Sequence, residues 1–142
     1  MARKTLRRIY VCKITHEDLV IYLASSAKGA VRVYLRMKED ADAAAFFKRR
    51  LANAEIVVSH QKNESLIDAV HYALRGRKDA YAGTPLDIHC TPFQWEVYRA
   101  ISRIPFGHTW TYKQVAEAVH RPGAARAVGQ AMGANPLPLI FP

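Results

Sequence analysis

The sequence has little of what membrane, secreted and cofactor-bound proteins usually carry. Its 142 residues include only two cysteines, Cys12 and Cys90, which is too few for a disulfide framework. No apolar run approaches the roughly 20 residues that a bilayer-spanning helix needs. The N-terminus, MARKTLRRIYVCKI, is basic and then apolar, but Lys13 and the charges after it interrupt any signal-peptide core. A cytoplasmic protein is therefore expected. There is no phosphate-cradling glycine loop, no paired-carboxylate motif and no internal repeat. Cys12, His16, His89 and Cys90 carry zinc-ligating atoms, yet their spacing matches no recognised site. Neither a metal nor a cofactor is expected.

Half of the residues are hydrophobic and no long polar low-complexity run occurs, so the chain is globular, as one domain or two small ones. The formal net charge of +9 favours a phosphate-bearing partner, but it is spread out. Residues 91–142 carry a net +3 and residues 1–90 a net +6, so charge alone does not locate a binding face.

The first half reads as α/β. Residues 6–14 and 19–24 are expected strands, the second (LVIYLA) apolar throughout and so central in a sheet. Ser25 to Gly29 is a turn, with Gly29 free to take positive φ. Residues 30–37 alternate, with Val31, Val33, Leu35 and Met37 facing one way and Arg32, Tyr34 and Arg36 the other, which predicts a half-buried antiparallel strand. Asp40 or Asp42 can cap a helix running to about Leu51, with Phe46, Phe47 and Leu51 as its apolar face. Ile56 to Val58 reads as a short strand. Asn63 is the expected cap of a helix over 64–75, with Leu66, Ile67, Val70 and Leu74 as its stripe and Gly76 as its C′ residue. Residues 77–90 (RKDAYAGTPLDIHC) read as a linker. The expected domains are 1–85 and 86–142.

The last third organises the chain. Thr91 and Pro92 open a helix with Phe93, Val97, Ile101 and Ile104 on its buried side, and Pro105-Phe106-Gly107 ends it. Thr111 and Gln114 form a capping box for a second helix with Val115, Ala116 and Val119 on one face. His120-Arg121-Pro122-Gly123 breaks it, because proline disfavours helical backbone for the residue before it. A third helix over 124–133 points Val128 and Met132 inward and Arg126 and Gln130 outward. The pair reads as a helix-turn-helix. Its second helix is nearly bald: Ala124, Ala125, Ala127, Gly129, Ala131 and Gly133 leave little side-chain bulk. That surface suits close approach to a narrow DNA groove, or equally tight packing against a neighbouring helix. Tyr112, in the first turn, is placed either to meet a phosphate or to cap the core.

TPFQWEVYRAI, WTYKQVA and RAVGQAMGANPLPLIFP, in that order across residues 91–142, resemble the O6-alkylguanine-DNA alkyltransferases (methylated-DNA–protein-cysteine methyltransferases). The resemblance implies a ribonuclease-H-like α/β N-terminal domain and a mostly α, winged-helix-like domain containing the helix-turn-helix. It implies a monomer acting on double-stranded DNA that contains O6-alkylguanine, and O4-alkylthymine as well, approached through the minor groove. Tyr112 then resembles the tyrosine that crowds the target phosphate and helps rotate the nucleotide outward. Arg126 resembles the arginine that enters the duplex and fills the space the base leaves. A planar cation there offsets part of the few kcal/mol that eversion costs. Lys113 and Arg121 are placed for flanking phosphates, which fix register without reading sequence. Gln130 shares the exposed helix face, and Asn135 resembles the asparagine that links this helix to the active-site segment, stiffened by Pro136 and Pro138.

In the resembled family NPxPxxxP runs directly into Cys-His-Arg, and that cysteine accepts the alkyl group. The present sequence stops at Pro142, so the acceptor is expected at the next position and the 142-residue chain is expected to be inactive. Cys12 and Cys90 do not match the acceptor position. A fragment, a nonsense relic, or a selenocysteine UGA codon read as a stop each accounts for that end point. Two further readings stand beside the enzyme: a non-catalytic alkyltransferase-like protein that flags damage, and a plain helix-turn-helix regulator.

Overall fold

A computed structural model of the chain describes residues 5–38, 41–76 and 82–141. The chain divides into two units, Met1–Asp68 with Thr84–Asp87, and Ala69–Gly83 with Ile88–Pro142. The break expected between residues 85 and 86 lies inside the short returning segment Thr84–Asp87.

The first unit is built on a four-stranded sheet of β1 (Arg7–His16), β2 (Leu19–Ser26), β3 (Gly29–Met37) and β4 (Ala54–Val58), in the order β3-β2-β1-β4. The first three strands are antiparallel and β4 runs parallel to β1. β2 lies inside the sheet, as its unbroken apolar run requires, with Ile21, Tyr22 and Leu23 fully buried. α1 (Ala43–Lys48) crosses one face and puts Phe46 flat on Tyr22, ring centroids 3.7 Å apart. The Tyr22 hydroxyl donates to the Ala41 carbonyl at 2.7 Å, so the buried ring keeps a polar partner.

Several local expectations are corrected here. Met37 is exposed, and the face of Arg32, Tyr34 and Arg36 is the one α1 covers, because those residues pair with Ala24, Tyr22 and Val20. The alternation of β3 therefore marks apolar against amphipathic rather than buried against solvated. α1 ends at Lys48, short of Leu51, and Asp42 caps it by accepting from the Ala45 amide at 2.8 Å; Asp40 lies outside the described residues. Asn63 does not cap the next helix. It sits fully buried in a 3-10 turn (Gln61–Asn63), where its amide nitrogen donates to the carbonyls of Tyr10 and Ser59 at 3.0 and 2.9 Å. α2 (Glu64–Leu74) follows, burying Leu66, Ala69 and Val70.

The stretch read as a linker contributes structure. Residues 77–81 lie outside the described residues, but Thr84–Asp87 returns along the edge of β3, where Ala30 and Leu86 form a parallel bridge. The Ala30 amide donates to Pro85 and the Asp87 amide to Ala30, both at 2.8 Å. Gly29 is needed for this approach as much as for its turn. Its φ is +143°, and a Cβ there would strike the Pro85 carbonyl. Asp87 anchors the segment by accepting from Arg7 and Ser26. Burial works against ionisation of its carboxyl, but the Ser26 hydroxyl and the Arg7 guanidinium outweigh it, and the pKa falls below the usual carboxylate value.

The second unit packs α3 (Pro92–Ile101), α4 (Tyr112–Ala118) and α5 (Ala125–Gly133) around Val97, Ile101, Val115, Val128 and Leu137. α3 ends at Ile101, so Ile104 lies beyond it, and Phe93 is only half-buried; Tyr98 and Ala100 take the inner positions instead. Among the described residues no helix is long and apolar enough to cross a membrane.

Candidate nucleic-acid interface

α4 begins where Thr111 predicts. The Thr111 hydroxyl accepts from the Gln114 amide at 3.1 Å, and the Gln114 side chain accepts from the Thr111 amide at 2.7 Å. Tyr112 and Lys113 are thereby set in the first turn, both exposed. The helix stops at Ala118, four residues before Pro122. His120 takes φ +60°, its amide donates to Glu117, and the Arg121 amide donates back to Ala116 at 2.9 Å. That pairing is a Schellman motif with histidine where glycine is usual, and it satisfies the last carbonyls. Pro122 follows a stop that is already made.

Arg121 emerges from this turn with its Nε 4.0 Å from a Glu96 carboxylate oxygen. Both side chains are exposed, so the pair is weak and leaves the guanidinium accessible. On α5, Arg126 and Gln130 are exposed one turn apart on the same side of the helix, while Val128 and Ala131 are buried. The small residues have two uses. Ala131 is inside, its carbonyl accepting from the Tyr98 hydroxyl at 2.8 Å. Gly129 seats the Tyr112 ring: a Cβ at Gly129 would lie 3.1 Å from the ring edge. Part of the baldness therefore serves helix packing, and at Gly133 no atom of the described residues lies within reach of a Cβ.

Beyond α5 the chain makes a compact turn over residues 136–141. Asn135 closes it, its Oδ1 accepting from the Leu137 amide at 2.9 Å and its Nδ2 donating to the Phe141 carbonyl at 2.7 Å. Leu137, Ile140 and Phe141 are buried, with the Phe141 ring stacked on Tyr98 at 5.2 Å. Leu139 has φ +74°, a strained conformation for a branched side chain.

Tyr112, Val115, Met132, Leu139 and Ile140 line a cavity of about 380 Å³, with Trp110 and Phe106 on its wall. That volume lies in the lower part of the range for small-molecule sites. Lys113, Arg121, Arg126 and Gln130 are not among the lining residues, so the structure separates an apolar cavity from an exposed polar set. Leu139 and Ile140 escaped sequence reasoning, because nothing in NPLPLIFP signals a positive φ. Phe106, 78% exposed, was read only as part of a helix stop.

Burial pushes the Cys12 thiol, on β1, up to about 11, and partial burial pushes Cys90 upward as well. Among the described residues no three or more His, Cys, Asp or Glu side chains gather as a metal site would require.

A mixed α/β sheet unit followed by a helix-turn-helix unit defines the class. Residues 92–142 match the sequence profile described as 6-O-methylguanine DNA methyltransferase, DNA binding domain. The chain is 30% identical over 134 residues to the inducible methylated-DNA–protein-cysteine methyltransferase of Bacillus subtilis (strain 168), covering 94% of this chain and 74% of that protein. It belongs to the methylated-DNA–protein-cysteine methyltransferase family. A Salmonella typhimurium member is 54% identical over 52 residues, which cover 37% of this chain and 30% of that one. The crystal structure of the Mycobacterium tuberculosis O6-methylguanine methyltransferase superposes with a TM-score of 0.67 at 26% identity, over 94% of this chain and 75% of that one. The mycobacterial enzyme in complex with DNA matches equally, at 0.67 and 27%, over 94% of this chain and 74% of that one. The chain thus spans about three quarters of the Bacillus and mycobacterial proteins and about a third of the Salmonella one.

Proposed function

We propose that this polypeptide serves direct reversal of O6-alkylguanine in duplex DNA, as a single-use acceptor of the alkyl group. The observation that carries the reading is the cavity between Tyr112 and the 136–141 turn, alongside a helix that exposes Arg126 and Gln130. Arg126 enters the duplex from the minor groove and takes the place of the everted nucleotide. Tyr112 crowds the target phosphate and donates to the purine, while Lys113 and Arg121 hold flanking phosphates. Aromatic and aliphatic walls accept a flat base and exclude water, which strengthens any charge interaction within.

The acceptor is the residue that follows Pro142 in the family pattern, a cysteine or selenocysteine. Its deprotonated form attacks the alkyl carbon in line. The carbon–oxygen electron pair returns to guanine, which takes up one proton, and a thioether or selenoether remains on the protein. Asn135 and the strained turn at Leu139 orient that residue. The protein acts as a monomer in the cytoplasm, and O4-alkylthymine is a second substrate.

Labelled O6-methylguanine duplex tests the assignment. Residues 1–142 should accept no label, because Cys12, buried in β1, and Cys90, just before α3, both lie away from the acceptor position, whereas the chain extended by Cys-His-Arg and the following family segment should take up one equivalent. Label on residues 1–142 would refute the acceptor assignment. Damage-selective binding without transfer by the extended chain would instead establish a damage-flagging protein, and sequence-selective binding a regulator.

A further inference from the structure

The first unit holds an arginine cluster that the alkyl-transfer reading does not use. Arg32, Arg36 and Arg50 lie 5.4, 5.5 and 5.5 Å from the centroid of one ring, that of Tyr34. Arg50 also stacks over Phe46 at 3.6 Å, and Arg36 lies 5.6 Å from the same ring. Phe46 is itself buried on Tyr22, so the aromatic floor is rigid. Three like charges around one ring repel one another, and elsewhere in this unit arginines meet acids: Arg7 on Asp87 and Arg8 on Glu55. Among the described residues, none of the three clustered arginines pairs with a carboxylate. Asp42, on the same helix as Phe46, already accepts from the Ala45 amide.

The donors are arranged to meet an anion. A guanidinium stacked by its face keeps its N–H groups at its edge. Arg36 and Arg50 each donate to a single backbone carbonyl, of Leu35 and Phe46 respectively, both at 2.9 Å. Most of their five donors remain available. Lys48 and Arg49 add two exposed cations beside Arg50. Any two of the three guanidinium carbons lie within about 11 Å of each other, twice their distance from the Tyr34 centroid, a span over which one strand of duplex DNA presents about three phosphates.

We propose that Arg32, Arg36 and Arg50, on the Tyr34–Phe46 floor, form a second DNA-phosphate site, located in the N-terminal unit and indifferent to sequence and to damage. It rests on duplex DNA being the partner, but not on alkyl transfer or base eversion. The three guanidiniums neutralise backbone phosphates of the duplex and so raise affinity for any DNA, leaving lesion choice to the second unit.

The test is the salt dependence of binding of the full chain to an unmodified fluorescent duplex, with preference for an O6-methylguanine duplex measured in parallel. For Arg32→Gln/Arg36→Gln/Arg50→Gln the slope of log affinity against log salt should become shallower by roughly 2 to 3, at about 0.9 per phosphate released. The preference ratio should stay unchanged. Arg32→Lys/Arg36→Lys/Arg50→Lys should retain most of the slope. A triple-glutamine protein with native circular dichroism and wild-type slope overturns the site and leaves the cluster to another acidic partner, such as a protein surface. If that variant does not fold, Arg50→Gln alone decides: a slope shallower by about one supports the site, and an unchanged slope overturns it. A wild-type chain without lesion preference would sink the repair reading, while the slope would still judge the arginine cluster.

Discussion

α4 and α5 are neighbours in one helix-turn-helix, yet they are held in opposite ways. α4 is closed at both ends by its own sequence, through the Thr111–Gln114 box and the His120 turn. α5 begins at Ala125, behind an Ala124 that supplies no side-chain cap, and carries Gly129 in its interior at a cost of about 1 kcal/mol against alanine. Its support is tertiary: Val128 and Ala131 in the core, the Tyr98 hydroxyl on the Ala131 carbonyl, and the Asn135-clamped turn behind it. A helix that must present a thin surface gives up local stabilisation and depends on its neighbours, and damage to those neighbours should be felt at α5 first.

Five substitutions would break or sharpen this contrast. Phe141→Ala removes the ring stacked on Tyr98 and should lower unfolding free energy by about 3–5 kcal/mol in urea, with loss of α5 amide protection ahead of α4. Equal loss in both helices would mean that α5 does not lean on the turn. Asn135→Ala opens the two hydrogen bonds of the clamp and should cost about 1–3 kcal/mol. For α4, Thr111→Ala should cost about 1 kcal/mol, and His120→Gly should return a similar amount by relieving the positive φ. A neutral His120→Gly result in thermal melts would show that the imidazole makes a compensating contact. Gly129→Ala should change stability least, by less than about 1 kcal/mol, since helix propensity gains what crowding of Tyr112 loses. Its effect should appear instead as weaker binding to O6-methylguanine duplex, and unchanged binding would remove Gly129 as the seat of Tyr112.

Features whose partners lie within a few residues were legible in advance. The capping residues Thr91, Thr111 and Asp42, the apolar run of β2 and the helix-turn-helix spacing all came from neighbours in sequence. Asn63 misled because its amide hydrogen-bonds Tyr10, 53 residues away, and no local pattern distinguishes that from a cap. That Arg32 and Arg36 share the face on which α1 packs was not legible, because alternation reports which residues share a face and not what lies against it. The returning segment Thr84–Asp87 was hidden for a related reason: an edge pairing of four residues has no periodicity to detect.

By itself the sequence determined the caps of α3 and α4, which strand is central, the family of the protein, and the outward positions of Arg126 and Gln130. These depend on short-range backbone chemistry and on side-chain order along the chain. Only tertiary structure decided that Tyr112 rests on Gly129, that Leu139 is forced to positive φ beside a cavity, and that three arginines share one aromatic floor. Each of these brings together residues remote in sequence, or bends the backbone to suit packing elsewhere, and neither cause leaves a trace in the order of the residues.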